Sequence, residues 1–316
     1  MQYIESLREG NRVVSQIYLC KSKNIQLTKA GKEYGNLIFQ DKTGTIEAKI
    51  WDLTSPGIED FETMDYVSVE ADVTSFNNNL QLNVKRIRLA RSGEYETSDY
   101  LPVSKYNTDD MYKELENIIQ SVKNTYLNAV LKKIFIEDKD FADKFKYSSA
   151  AKSVHHSFVG GLLEHSLSVT RLCIHYCSKY KLLNYDLLIT AALLHDIGKT
   201  VELSAFPEND YTDEGQLLGH IIIGLDIISK AISKVDKFPP TLANELKHCI
   251  VAHHGELEYG SPKKPALIEA MALNLADNTD AKLQTFTEII EASNSVGKEW
   301  LGYNRFFESN IRKTHM

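Results

Sequence analysis

Residues 185–199 read YDLLITAALLHDIGK, and this stretch decides the fold of the larger part of the chain. The apolar run at 187–194 is well short of the ~20 residues that a membrane-spanning helix needs. It reads as a helix of a globular core, closed by the adjacent pair His195-Asp196 and followed by Gly198 and Lys199. Outward from it the same 3.6-residue period recurs at 111–122, 127–135, 162–180, 217–233, 242–253 and 266–281, punctuated by Pro239-Pro240 and by Pro262 and Pro265. No strand candidate of comparable quality appears after Asp109. Residues 109–316 are therefore expected to form an all-helical domain.

Upstream the period changes to two. Residues 13–20, 35–41, 45–52, 66–74 and 80–89 read as five short strands, with Lys42-Thr43-Gly44 and Asn77-Asn78-Asn79 as hairpin turns. Residues 53–64 read as a short helix or an irregular loop. Five antiparallel strands in about 80 residues fit a small barrel of the OB type, with an SH3-like barrel or a sandwich as alternatives. Residues 91–108, RSGEYETSDYLPVSKYNT, are polar and aperiodic and read as a linker. The expected organisation is a barrel at 1–90, a linker at 91–108 and a helical domain at 109–316 whose motif core spans about 150–281.

Composition agrees with an ordinary globular protein: 316 residues, 43% hydrophobic and 25% charged, with a formal net charge of −7. That charge argues against a broadly basic nucleic-acid binder but leaves room for a local basic groove. The amino terminus, MQYIESLREG, lacks the apolar core of a signal peptide. Cys20, Cys173, Cys177 and Cys249 form no CxxC pair. The expected setting is a reduced cytoplasm with no membrane association, as a monomer or homo-oligomer.

The chemistry-bearing feature is a series of metal-capable side chains near helix ends: His165, His195-Asp196, His220, His253-His254 and Asp277. Imidazole and carboxylate together suit divalent transition metals such as manganese, iron, cobalt or zinc. A lone histidine on an apolar helix is usually a satisfied core residue. This many, with a His-Asp adjacency, would carry a large desolvation cost without an ion.

The order His165, His195-Asp196, Asp277 resembles the HD phosphohydrolase superfamily, and the additional His220 and His253-His254 resemble its dinuclear branch. The string at 152–165, KSVHHSFVGGLLEH, with HDIGK at 195–199, resembles a narrower group, the YhaM-type 3′-5′ exoribonucleases, which carry an OB domain ahead of an HD domain. The stretch at 35–52, GNLIFQDKTGTIEAKIWD, extends the likeness into the first half. This resemblance implies two divalent ions per chain, manganese favoured, with iron, cobalt, magnesium or zinc as alternatives. One would be held by His165, His195, Asp196 and Asp277. The second would share Asp196 and add His220 and His253, with His254 as a further candidate. Water activated by the two cations would attack phosphorus, and Lys199 would neutralise a phosphate oxygen.

Four further residues, His155, His156, Gly160 and Gly161, are expected near the substrate, the glycines through backbone N–H groups at a helix start. In the barrel, Lys21 and Lys23 after the first strand, Lys85, Arg86 and Arg88 on the last, and Trp51 are expected to grip a single strand. The implied activity is hydrolysis of single-stranded RNA, and of single-stranded DNA as a second substrate, to nucleoside 5′-monophosphates. The alternatives are an HD phosphohydrolase acting on a cyclic dinucleotide or nucleoside triphosphate, with a regulatory barrel, and a binding protein with a vestigial centre.

Overall fold

The computed structural model describes residues 2–28, 30–76, 79–152, 156–292 and 299–314. The chain divides into two compact units, Met1–Val103 with Phe206–Glu208, and Ser104–Ala205 with Asn209–Met316.

The first unit is a closed barrel of β1 (Arg12–Leu27), β2 (Glu33–Asp41), β3 (Gly44–Ile50), β4 (Tyr66–Phe76) and β5 (Asn79–Leu89), in the order β1-β2-β3-β5-β4. Every neighbouring pair is antiparallel except β3 and β5, whose short parallel ladder at Glu47–Gln81 to Lys49–Asn83 closes the ring. The alternation read from the sequence turns Leu37 and Phe39, Ile46, Ala48 and Ile50, and Val67, Val69, Ala71 and Val73 inward, all buried. One strand is longer than expected: β1 continues past Cys20 through a bulge between Cys20 and Ser22, so Lys21 and Lys23 lie within it. Residues 53–64 are irregular, docked by buried Phe61 and a bridge from Ile58 to Ile87. The stretch expected as a linker is ordered up to Val103 as part of the barrel unit. Tyr95 stacks on Tyr66 at 4.0 Å, and Tyr100 and Leu101 are buried. Aromatic packing, which polar composition does not reveal, explains the difference.

The second unit comprises α1 (Thr108–Ser121), α2 (Thr125–Lys132), α3 (Lys139–Tyr147), α4 (Gly161–Lys179), α5 (Tyr185–Leu194), α6 (Lys199–Glu202), α7 (Asp213–Ser233), α8 (Pro240–Val251) and α9 (Ile268–Ala292). Asparagines set several starts: Asn107, Asn124 and Asn184 each accept first-turn N–H groups of α1, α2 and α5. Helix α5 is buried at every position from Leu187 to Leu194, which is why it shows no polar stripe. It is the axle of the unit, packed by α4, α8 and α9.

One expectation changes here. The helical domain also carries a hairpin, β6 (Trp300–Asn304) with β7 (Ser309–Arg312), anchored by buried Ile311 and by Phe307 on Phe286 at 4.9 Å. Its strands are too short to raise a period-two signal. Helix α7 is long and apolar enough, by length and composition only, to cross a membrane. It breaks at Gly219 (φ 72°), and its Ile221, Ile223 and Ile228 are buried in the helical unit.

Candidate metal centre

The centre forms where the start of α4, the ends of α5 and α8, the break in α7 and the middle of α9 converge. His165 lies one turn into α4, His195-Asp196 follow α5, His220 follows the break in α7, His253-His254 follow α8, and Asp277 is on α9.

Close backbone approaches make this convergence possible. A Cβ at Gly198 would stand 1.9 Å from the His220 carbonyl oxygen, so only glycine lets α7 bring His220 beside the His195-Asp196 turn. A Cβ at Gly215 would stand 2.2 Å from the Glu202 carbonyl oxygen, the same device between α6 and α7. The left-handed Gly219 frees the His220 N–H from the helix ladder, and Glu202 Oε1 accepts it at 2.9 Å.

Asp196 sits in the middle with its two oxygens facing different groups. Oδ2 is 3.4 Å from Nε2 of both His165 and His195, and His165 Nε2 is 3.2 Å from Asp277 Oδ1. Oδ1 is 3.5 Å from His220 Nε2 and 3.6 Å from His253 Nε2, while His220 Nε2 and His254 Nε2 approach to 3.3 Å. Three candidate ion-holding sets lie here: His165, His195 and Asp277 on one side of Asp196, His220, His253 and His254 on the other, and His156, His165 and Asp280 behind the first.

The second ring nitrogens are occupied elsewhere. Nδ1 of His195 pairs with the Ala192 carbonyl (2.7 Å), that of His253 with Ile250 (2.7 Å) and that of His254 with Tyr259 (2.8 Å). Nδ1 of His165 meets Asp280 Oδ2 at 2.7 Å, and that of His220 meets Glu202 Oε1 at 3.0 Å. A carbonyl can only accept, so it puts the ring proton on Nδ1 and leaves Nε2 as a lone pair facing inward.

This arrangement fits divalent cations. Among the described residues, Asp196 Oδ1 and His253 Nε2 are buried without a hydrogen-bond partner, and they face each other across 3.6 Å. Two buried acceptors left facing each other are costly unless a cation lies between them. Electrostatics agree. Burial pushes His253 and His254 below the ordinary imidazole range, the neutral form a metal requires. Burial also opposes charge on His165, yet Asp196, Asp277 and Asp280 hold it well above that range, so the carboxylates around it favour positive charge. Against the same burial, Lys199 and His195 hold Asp196 well below the carboxylate range, with Lys199 Nζ 2.6 Å from Oδ2.

The structure thus gathers His165, His195, Asp196, Lys199, His220, His253, His254 and Asp277. Among the described residues, His156, Gly160 and Gly161 have packing and positioning contacts of their own. His156 is buried, its ring 3.0 Å from Asp280 and 3.6 Å from Glu164, so it backs the centre rather than facing a substrate. His155 lies outside the described residues. Gly160 and Gly161 serve packing: Gly160 takes φ 84°, and a Cβ at Gly161 would stand 2.0 Å from the His156 carbonyl oxygen. The Gly161 and Leu162 N–H groups donate to Phe158 and Ser148, not outward. Two residues were missed. Asp280 lies one turn beyond Asp277 on the same helix face, a spacing that could have signalled it. Glu202 had no such signal.

On the barrel, the expected basic residues make contacts within the barrel unit. Lys85 pairs with Asp72, and Arg88 forms a fork with Glu94 at 2.8 and 3.1 Å. Lys23 lies over the Phe61 ring and bonds the Phe61 carbonyl, Lys21 bonds Gln40, and the Arg86 side chain packs beside Gly57. Lys85, Arg86 and Arg88 all lie outside buried Val84 and Ile87, since β5 bulges at Lys85, and two of the three are engaged by Asp72 on β4 and Glu94 in the turn after β5. Trp51 is different. It is 46% exposed, stacks on Tyr34 at 5.1 Å and bonds Asn83 Oδ1, and Lys49 Nζ lies 5.9 Å from the Tyr34 ring.

Comparison with known proteins agrees with both units. Residues 162–282 match the family model described as HD domain. The curated protein named 3′-5′ exoribonuclease YhaM from Geobacillus sp. (strain WCH70) is 35% identical over 90% of this chain and 86% of its own length. Proteins of the same name from Listeria innocua and Bacillus velezensis are 32% and 34% identical, each over 90% of both chains. A solved OB-fold domain of replication protein A from Methanococcus maripaludis is similar at 17% identity, covering 29% of this chain and 96% of its own, with a TM-score of 0.22. The OB-type assignment rests on the closed five-strand order and not on that likeness. The chain belongs to the YhaM family of HD-domain 3′-5′ exoribonucleases.

Proposed function

We propose that this chain is a divalent-metal-dependent exonuclease that removes nucleoside 5′-monophosphates from the 3′ end of single-stranded RNA, with single-stranded DNA as a second substrate. The observation that carries the reading is the placement of Asp196, one oxygen toward each of two ligand sets. His165, His195, Asp196 and Asp277 would hold one ion, and Asp196, His220 and His253, with His254 beside them, the other. Two cations there, manganese favoured, would polarise a phosphoryl oxygen and lower the pKa of water.

The chain's own groups do the rest. Three carbonyls and two carboxylates hold five imidazoles with Nε2 inward. Lys199, 2.6 Å from Asp196 and largely buried, keeps a fixed positive charge at the centre where a phosphate would enter. On the barrel, the exposed Trp51, backed by the half-buried Tyr34, suits base stacking along a strand, a sequence-tolerant mode of grip. That stack favours a polymer over a free nucleotide, which needs no platform.

A gel assay tests this. With end-labelled single-stranded RNA and manganese, a ladder of shortened products is expected, abolished by chelator, with nucleoside 5′-monophosphates released. Intact RNA alongside hydrolysis of a cyclic dinucleotide or nucleoside triphosphate would overturn it in favour of a small-nucleotide phosphohydrolase. A parallel single-stranded DNA arm reads the second substrate.

A further inference from the structure

Of the five imidazoles around Asp196, three are oriented by backbone carbonyls and only two by carboxylates, one in each ligand set. Backbone carbonyls come with the helix ends and cannot be tuned. The two carboxylates can.

Asp280 holds His165. Its Oδ2 takes His165 Nδ1 at 2.7 Å and His156 Nε2 at 3.0 Å, and the Ser168 hydroxyl donates to Oδ1. The carboxylate is therefore locked from three directions by α4 and by the loop before it. Glu202 holds His220. Its Oε1 takes both Nδ1 at 3.0 Å and the backbone N–H at 2.9 Å, which fixes ring and main chain together just past the break at Gly219. Each carboxylate touches one ligand histidine, and the two histidines lie on opposite sides of Asp196.

We infer that Asp280 and Glu202 are positioning residues that set the affinities of the two metal sites separately, Asp280 through His165 and Glu202 through His220. The inference rests on the metal-centre reading above and assigns a role to the second histidine of the HHSFVGGLLEH string: His156 steadies Asp280. Carboxylate partners orient a ligating imidazole and raise its basicity, and their loss typically costs 10–100-fold in metal affinity.

Manganese titration of the metal-stripped full-length chain, followed by calorimetry, tests this without reference to catalysis. The wild type should take up two ions. Asp280→Ala and Glu202→Ala should each weaken one ion by about 10–100-fold and leave the other within a few-fold. Asp280→Asn and Glu202→Gln keep an acceptor at the ring nitrogen and should recover part of the loss. They also serve if the alanine variants do not fold, as judged by metal-free melting. A double-mutant cycle assigns the sites. In a His220→Ala background Glu202→Gln should add nothing, whereas Asp280→Asn should still weaken the remaining ion. In His165→Ala the dependence should reverse. Wild-type affinities in both single alanine variants, or an undiminished Glu202→Gln effect in His220→Ala, would overturn the inference while leaving the metal centre intact. A wild type that takes up no manganese would overturn the metal-centre reading itself.

Discussion

The helical centre and the barrel surface both begin in the sequence as clusters of charged residues, and the folds treat them in opposite ways. At a helix end the chain turns within a few residues, so adjacent His195 and Asp196 both face the centre, and so do His253 and His254. On β5, Val84 and Ile87 are buried and the bulge at Lys85 leaves Lys85, Arg86 and Arg88 all on the outer surface, where Asp72 and Glu94 engage two of the three. Both clusters stay together in space, but the helical one is buried around acceptors without hydrogen-bond partners and the strand one is ion-paired at the surface.

The sharpest break in that contrast is at Asp196. Asp196→Asn should lower RNA hydrolysis on the order of 10³-fold or more, since it weakens both ligand sets at once. His195→Ala should also abolish hydrolysis. Circular dichroism should show the helical unit still folded in both. Full activity in either would detach the centre from the chemistry. Next in size, His220→Ala or His253→Ala should lower bound metal from about two per chain toward one, read by elemental analysis.

Gly198→Ala probes the packing that makes the centre. Its Cβ would collide with the His220 carbonyl, so a destabilisation of about 1–3 kcal/mol is expected in denaturant unfolding, with weakened binding of one ion. Unchanged stability would show that α7 can retreat freely.

How much of this was legible follows from the same physics. The helix period and the order of the metal-capable residues that the structure gathers were readable, because each is a local pattern. The barrel's alternation was readable too, and so was the exposure of Trp51, whose neighbours Glu47 and Lys49 are polar. Tyr34 as its stacking partner was not, since that contact joins β2 to the end of β3. Asp280 lies inside the helix expected at 266–281, but its role comes from the approach of α4, which brings His165 Nδ1 and Ser168 to it. Glu202 was missed because its role depends on the break at Gly219, which no period records. The fate of Lys85 and Arg88 depended on acids brought close by strand register and by the turn after β5.

Two smaller predictions sharpen the barrel side. Trp51→Ala and Tyr34→Ala should each weaken single-stranded RNA binding by about 1–3 kcal/mol, read by fluorescence anisotropy at fixed salt. Lys85→Ala and Arg88→Ala should change RNA affinity far less, and stability by no more than about 1 kcal/mol, as exposed ion pairs do. A larger loss at Lys85 or Arg88 than at Trp51 would reverse the comparison and return the grip to the basic strand.

The most direct test of the central claim, two ions joined by Asp196, is electron paramagnetic resonance of the full-length chain saturated with manganese. The expected result is an exchange-coupled signal from two neighbouring ions in the wild type, lost in Asp196→Asn. A saturated wild type showing only isolated manganese, or a coupled signal that survives Asp196→Asn, would contradict it.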